Sequence, residues 1–556
     1  MKIALDIETT MDRNTIHLCV TQDIDTGEVR TWKAPDGLAE YLKDATLIIA
    51  HNGISFDFPI LNKLWKTKIT RKQAFDTLIV SRLLEPTKEK GHSLDAWGAE
   101  LGMVKLNYKA VWTWMENRDE DYAGECFDRP IQSLLAHYCA RDVSVLCRLY
   151  HRLMRDVDAK GFSVDSIALE HSVASILAQQ ERNGFKLDIP YATMLLATLK
   201  GKMANIDDKM QQRWPPVTNE RYSEKNGKRL KDEVIVFNPG SRKQIGEKLQ
   251  ELGWKPKKFT ETGQPMVDES ILETIDLPEA KLIAEYLMLQ KRIAQIESWI
   301  DAVGEDGRVH GRVITNGAVT GRMTHQSPNM AQVPNSGSPY GPECRQCWTV
   351  EKGNVLVGID ASGLELRMLA HYMKDESYVK NVTEGSSKDG TDVHTVNQRA
   401  AGLPTRDQAK TFIYAFLYGA GDAKIGSIIG GNAADGKRLK DRFLKASPAL
   451  SRLRESVALY ASKGYVPGLD GRKVWVRSEH AALNSLLQSA GAIVMKKALV
   501  ILETTLRKYN VPFNMVANVH DEWQIETKPE HAELVGKLAV QSIKDAGTHF
   551  QLRCPL

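Results

Sequence analysis

Near the end of the chain, two strand-like runs, FNMVANV and WQIET, are separated only by His520-Asp521-Glu522. That leaves room for nothing but a tight reversal, so this stretch predicts an antiparallel hairpin with acids at its tip. A second short apolar run, Val355 to Ile359, ends in Asp360, and the SGLELRMLAHYM that follows has helical spacing with Ser362 or Gly363 near its start. Asp360 therefore stands at a strand-to-helix corner. A single acid at a strand end is often only a cap. Two such corners are more telling, because phosphoryl transfer needs carboxylates from separate elements to hold two metals roughly 3.5 to 4 Å apart.

With 556 residues, and a prior of roughly 150 residues per domain, three or four units are expected. Hydrophobic residues at 42% and charged residues at 26% match soluble globular proteins rather than disordered or fibrous ones. No run reads as apolar enough to span a bilayer. Met-Lys-Ile-Ala-Leu-Asp reaches an acid at position 6 before a signal-peptide core forms, so cytoplasmic residence is expected. Seven scattered cysteines fit reduced thiols. Cys344 and Cys347 make one CxxC without a second ligand pair nearby, which argues against zinc. A formal net charge of +4 decides nothing about nucleic acid, because acids at metal sites offset bases that line phosphate grooves.

The N-terminal stretch alternates strand-like IALDIE, HLCVTQD and TLIIAHN before the helical run SLLAHYCARDVSVLCRLYHRLM, an α/β domain ending near Arg155. From about Val164 to Ile300 the pattern is mostly helical. Its polar stretch from Pro215 to Asn238 predicts an exposed excursion, a solvated loop between helices. After Gly307 strands return among helices, as in an α/β or α+β unit with a helical insertion.

Between the two acid-bearing corners lies TRDQAKTFIYAFLYGAG, where Arg406, Lys410, Tyr414 and Tyr418 recur every four residues. A helix turns about 100° per residue, so each step of four drifts roughly 40° and the four side chains form one slowly winding stripe. Two cations and two aromatics on one face suit a triphosphate and a stacked base; a solvated basic edge beside core tyrosines fits the same pattern. In IALDIET the strand period places Asp6 and Glu8 on one face. Buried alone they would repel, whereas a divalent cation stabilises both as carboxylates; an exposed edge strand is the alternative. HNGISFDFPIL sets Asp57 among apolar residues, and HYCARDVSVL puts Tyr138 and Asp142 four apart on one helical face.

These motifs resemble family A DNA polymerases, in particular the replicative enzymes of short-tailed, T-seven-like phages. GIDASGLELR is similar to the family's motif A, RDQAKTFIYAFLYGAG to motif B and VHDE to motif C, in that order. TNGAVTGRMTHQSPNMAQVP and GLDGRKVWVRSEHAALNSLLQSAGA resemble further stretches of the phage enzymes, and the N-terminal acids resemble a DEDD exonuclease in its Tyr-containing form. The resemblance continues through DTLIVSRLLEP and VFNPGSRKQIGEKLQELGW to FQLRCPL. It implies an α/β and α+β multidomain protein, with a ribonuclease H-like exonuclease domain ahead of a right-hand polymerase domain of palm, fingers and thumb. The expected segments are 1–155 exonuclease, 156–305 connecting helices and thumb, 306–374 palm with motif A, 375–480 mainly fingers and 481–556 palm with motif C.

What the resemblance implies about function is template-directed addition of dNTPs to a primer 3′-hydroxyl, with 3′–5′ proofreading. Asp360 and Asp521 are then expected to bind two Mg2+, and Asp6, Glu8, Asp57 and Asp142 two more, with Mn2+ as the substitute and Tyr138 orienting the attacking water. Arg406 and Lys410 match positions that hold the triphosphate, and Lys410 also suits a proton donor to the leaving group. His394, in DVHTVNQ, matches a phosphate contact; Tyr414 and Tyr418 belong to the dNTP site, and Glu365 matches the acid that excludes a ribose 2′-hydroxyl. Arg322, Gln332, Gln488 and His520 match positions that contact primer or template.

The partners implied are primer-template DNA, dNTPs, a helicase-primase and a single-strand binding protein in the cytoplasm of a bacterial host, with no membrane. The phage enzymes carry a long thioredoxin-binding insertion in the thumb. The matching region here is only the polar stretch around Pro215 to Glu233, which argues against a thioredoxin clamp. No 5′ nuclease segment precedes the exonuclease acids, so removal of RNA primers is not expected. Competing readings are a dedicated nuclease whose C-terminal half only grips DNA, a non-catalytic replisome scaffold and an RNA polymerase. The acids at both sites, Lys410 and Glu365 weigh against them.

Overall fold

The computed structural model describes residues 1–107, 110, 113, 132–222, 225 and 227–556. They form two compact units: Met1–Asn183, Arg312–Gln326 and Gly353–Leu556 make one, and Gly184–Gly311 with Ser327–Lys352 the other. These units cut the chain differently from the five segments read in the sequence, since Val164–Asn183 packs in the first unit and Ser327–Lys352 in the second.

In the first unit β1 (Lys2–Thr9), β2 (Ile16–Asp23), β3 (Val29–Trp32), β4 (Leu47–Ala50) and β5 (Ala74–Asp76) form a mixed sheet in the order β3-β2-β1-β4-β5. β1 runs antiparallel to β2 and parallel to β4, so it is an interior strand rather than an exposed edge. Its alternation sends Ile3, Leu5 and Ile7 to one face and Asp6 and Glu8 to the other. The helices around this sheet include α1 (Asp57–Ile60), between β4 and β5, then α2 (Thr77–Leu84), α3 (Leu94–Glu100) and α4 (Gln132–Ala159), and α4 packs on β1 and β2. Buried Leu135, Cys139, Asp142, Val143 and Leu146 recur at spacings of three and four along α4, so the apolar stripe that docks the helix also carries Asp142 inward. α5 (Val164–Asn183) comes next.

The rest of this unit begins with β6 (Arg312–Ile314) paired to β7 (Thr324–Gln326). It continues with β8 (Val355–Asp360), α6 (Leu364–Met373), α7 (Val393–Ala401), α8 (Arg406–Leu417), α9 (Ala482–Lys508), β9 (Phe513–Val519), β10 (Glu522–Thr527) and α10 (Pro529–His549). β8, β10 and β9 make an antiparallel sheet in that order.

Helix α9 corrects one expectation. Glu479–Lys508 is long and apolar enough to cross a membrane by length and composition, yet 72% of its apolar window is buried inside the protein. A helix surrounded by other elements is apolar all round, and its composition converges on that of a membrane span.

The second unit packs the long helices Ile189–Arg213 and Pro278–Asp301 together, with Leu199, Ile206, Ile293 and Trp299 in its core. Its polar stretch is exposed as expected but is more than a loop, because Val217–Asn219 and Glu233–Ile235 pair as an antiparallel ribbon.

Candidate active sites

The C-terminal site is built by the sheet β8-β10-β9. Asp360 ends β8 opposite Glu522, and the hairpin of β9 and β10 turns through His520 and Asp521. The Ala361 N–H donates to the Asp521 carbonyl at 3.0 Å, tying the strand-to-helix corner to the hairpin tip. A two-residue reversal demands left-handed backbone, and His520 supplies it with a φ of 56°. Loss of solvent first, then the charges of Asp521 and Glu522, raise the Asp360 carboxyl above its ordinary value. Burial likewise raises Asp521, with Glu365 adding to it and His520 and Arg322 opposing.

Glu365 lies in the first turn of α6 and accepts from the Arg322 guanidinium at 2.9 Å and from the Tyr418 hydroxyl at 2.8 and 2.7 Å. Arg322, Met323, Glu365, Lys496, His520 and Asp521 all line one cavity of about 30 Å³. Gln488 sits on α9, whose Leu487 and Gly491 line the same cavity.

Helix α8 opens with a reciprocal cap between Thr405 and Gln408. It buries Ala409, Phe412, Ile413 and Phe416, which leaves Arg406, Lys410 and Tyr414 on the other side and Tyr418 as its C-cap. The Tyr414 and Tyr418 rings stack with centroids 6.5 Å apart. Burial first, then the charges of Glu365 and Asp521, raise the Tyr414 phenol. Lys410 is exposed and has no ion pair or hydrogen bond among the described residues. Arg406 instead donates through Nε and Nη2 to Asp392 at 3.1 and 2.9 Å. Burial opposes the Asp392 carboxylate, but hydrogen bonds from Arg406 and Thr395 outweigh it and bring its pKa down to about 2. Asp392 also N-caps α7, which presents His394 with its ring 6.4 Å from that of Tyr414 and its Nδ1 buried without a partner.

The N-terminal site gathers Asp6, Glu8, Asp57 and Asp142. The Asp57 carboxylate accepts from the Ile7 N–H at 3.3 Å, which places α1 beside β1. The Cys139 thiol lies 3.6 Å from Asp6 Oδ2, and ligand atoms of Asp6, Glu8 and Cys139 fall within 4.8 Å of one another. Burial, then the charge of Asp142, pushes Asp6 up to about 7, while burial, then Asp6, pushes Glu8 up to about 9. Burial and Asp6 raise Asp57 as well. One oxygen of Asp142, Oδ1, is buried without a hydrogen-bond partner. Carboxylates crowded out of water to this degree, one of them with an unused oxygen, fit a hard divalent cation bound by oxygen ligands. Tyr138 stands one helical turn before Asp142 on α4.

Comparison with known proteins decides the family. Residues 203–556 match the model of DNA polymerase family A, and residues 2–158 that of the 3′-5′ exonuclease. The chain belongs to DNA polymerase family A. The DNA-directed DNA polymerases of Enterobacteria phage T3 and Escherichia phage T7 are each 35% identical to it, over 97% of this chain and 96% of theirs. DNA polymerase I of Pseudomonas aeruginosa is 25% identical over 90% of this chain and 54% of its own. Among solved structures, the POL domain of Pol1 from M. smegmatis in complex with DNA primer-template and dNTP superposes with a TM-score of 0.79. It is 19% identical, covers 100% of this chain and 94% of that one, and supports the fold alone. This family A polymerase thus carries a 3′–5′ exonuclease domain, and both domains are of divalent-metal-dependent types.

Of the residues expected to contact DNA in this family A polymerase, Arg322, Gln488 and His520 lie in the first unit, and Gln332 lies exposed in the second. Several residues that shape the sites were not anticipated. Asp76 accepts from the N–H groups of Asn52, Ile54 and Leu78, fixing the turn that leads to Asp57. Asp392 holds both Arg406 and the start of α7. An Asp directly before a helical run is an N-cap signal, so DVHTVNQ contained the clue. Glu170, Arg472 and Lys496 form a buried ion network, and Lys105 pairs with Asp142; no local pattern marks either.

Proposed function

We propose that this enzyme extends DNA primers with dNTPs at Asp360 and Asp521, and removes 3′-terminal nucleotides at Asp6, Glu8, Asp57 and Asp142. The main support is the meeting of the tyrosine end of the α8 stripe with the acids: Tyr418 donates to Glu365, which also holds Arg322 and lines one cavity with Asp521. Magnesium ions, two at each acid cluster and replaceable by Mn2+, would supply acidification of the attacking oxygen and screening of phosphate charge.

The chain's own residues perform the rest. Lys410, exposed and unpaired among the described residues, takes the triphosphate and donates a proton to the departing pyrophosphate. Arg406 exchanges Asp392 for phosphate, and His394 offers a further contact. Tyr414 and Tyr418 lie against sugar and base, while Glu365 occupies the space a ribose 2′-hydroxyl would need. Arg322, Gln332, Gln488 and His520 hold primer and template. In the exonuclease, Tyr138 orients the attacking water. On this reading 306–374 and 481–556 are palm, 375–480 mainly fingers, 156–305 connecting helices and thumb, and 1–155 the exonuclease. The setting is phage-type genome replication in a bacterial cytoplasm, alongside a helicase-primase and a single-strand binding protein.

Primer extension with dNTPs or NTPs, with and without magnesium, tests the reading. Asp521→Ala is expected to abolish extension and spare primer shortening, and Asp6→Ala to do the reverse. Extension retained by Asp521→Ala would refute the polymerase assignment, and shortening retained by Asp6→Ala the exonuclease one.

A further inference from the structure

Lys105 reaches the exonuclease acids from the loop after α3. Its Nζ lies 2.5 Å from Asp142 Oδ2 and 5.2 Å from the centroid of the Tyr138 ring, so a cation already stands beside both the acid and the phenol. The loop that carries it is tied down just before Lys105. The Met103 N–H donates to the Gly98 carbonyl at 2.8 Å, and Arg141, on α4 beside Asp142, donates through Nε to the Val104 carbonyl at 3.0 Å. The Lys105 side chain is only 19% exposed and that of Asp142 only 5%. Surface lysines swing freely in water; this one starts from a clamped backbone and ends in a buried ion pair.

The pairing uses one oxygen of Asp142 and leaves the other. Oδ1 is buried with no partner, an arrangement that costs free energy unless a ligand takes it. An ammonium on Oδ2 and a divalent ion on Oδ1 are compatible in valence but repel one another across a partly desolvated site.

We propose that Lys105 is the resident counter-cation of the exonuclease site: it holds Asp142 and Tyr138 together with or without a divalent ion, and its charge weakens the binding of that ion. This rests on the assignment of Asp6, Glu8, Asp57 and Asp142 as the metal-binding acids. The position also suits contact with the phosphate that the acids and Tyr138 address, which makes Lys105 a positioning residue for hydrolysis. A salt bridge of purely structural worth would lower the melting temperature when broken and leave ion affinity alone, so affinity is the discriminating readout.

Full-length protein carrying Asp360→Asn and Asp521→Asn, which removes the polymerase acids from the count, is titrated with Mn2+ while free Mn2+ is followed by paramagnetic resonance. Adding Lys105→Met is expected to tighten Mn2+ binding roughly tenfold, as removal of a unit charge a few ångströms from the ion requires. Lys105→Gln, which keeps a donor for Asp142 but no charge, should move the same way, and Lys105→Arg should stay within about twofold of the parent. Melting in chelator should fall for Lys105→Met, and the difference should shrink once Mn2+ saturates. Far-ultraviolet circular dichroism of Lys105→Met that overlays that of the unsubstituted chain shows that the fold is kept. Mn2+ affinity that is unchanged or weaker in both the Met and Gln variants overturns the proposal. If Asp6→Asn with Glu8→Gln in the same background leaves Mn2+ binding intact, it is the metal assignment itself that fails.

Discussion

Lys410 and Arg406 sit one turn apart on the same stripe, yet they start from different states. Lys410 has its ammonium in solvent, whereas Arg406 is held by Asp392 through two hydrogen bonds. Lys410→Ala is expected to slow single-turnover nucleotide incorporation by about 10²- to 10⁴-fold, the usual worth of a positioned proton donor. Unchanged incorporation would remove Lys410 from that role. For Asp392 the pH dependence has a definite sign. Its folded pKa of about 2 lies below the ordinary carboxyl value of 3.8, so between these values the unfolded chain binds more protons. The stability it contributes is fully present above pH 3.8 and is lost as pH falls through about 2. Thermal melts from pH 5 down to pH 2 should therefore fall less steeply for Asp392→Asn than for the unsubstituted chain.

At the level of elements, the polymerase half of the first unit is pinned by one buried charge cluster. Glu170 on α5 accepts from Lys496 on α9 and from Arg472, each at 2.6 Å, and from the Thr315 hydroxyl at 2.5 Å. Lys496 also donates to the Gly321 carbonyl at 2.7 Å, and Arg472 pairs with Asp470. Gly321 precedes Arg322, the partner of Glu365, so the network sets the backbone from which that guanidinium is presented. Glu170→Gln strands the buried Lys496 ammonium, while Arg472 keeps Asp470, and should cost about 3–5 kcal/mol, read from urea denaturation of the full chain. A loss below about 1 kcal/mol would mean that Asp470 alone suffices. The sequence did show the elements that this network joins. Asp360 at the end of β8, the hairpin at Asp521 and the stripe of α8 each follow from spacing within a few residues, and each is where expected.

Across the whole molecule, the N-terminal and C-terminal acid clusters lie in one compact unit, and an ion pair ties together the elements around them. Arg71, just before β5, reaches Glu503 on α9 with both Nη atoms at 3.1 Å, and the Glu503 side chain is 4% exposed. The alignment with the phage T3 enzyme spans 678 positions against the 556 residues of this chain, so that relative has segments this one lacks. The exposed ribbon of Val217–Asn219 and Glu233–Ile235 occupies the place read in the sequence as a shortened thumb excursion. Addition of thioredoxin is accordingly expected to leave the length of primer-extension products unchanged; longer products would contradict this.

The sequence by itself determined the local pieces: which runs are strands and helices, which acids end them, and which cations and tyrosines share a helix face. These depend on periodicities of two and 3.6 residues, and a short window contains them. Tertiary structure alone decided that Lys105 meets Asp142, that Asp76 braces the turn before Asp57, and that Glu170 meets a lysine 326 positions away. It also decided that the apolar α9 runs through a core instead of a membrane. Such pairings arise when packing closes long loops and removes water from whatever charges it brings together, and no neighbour in sequence carries a trace of that.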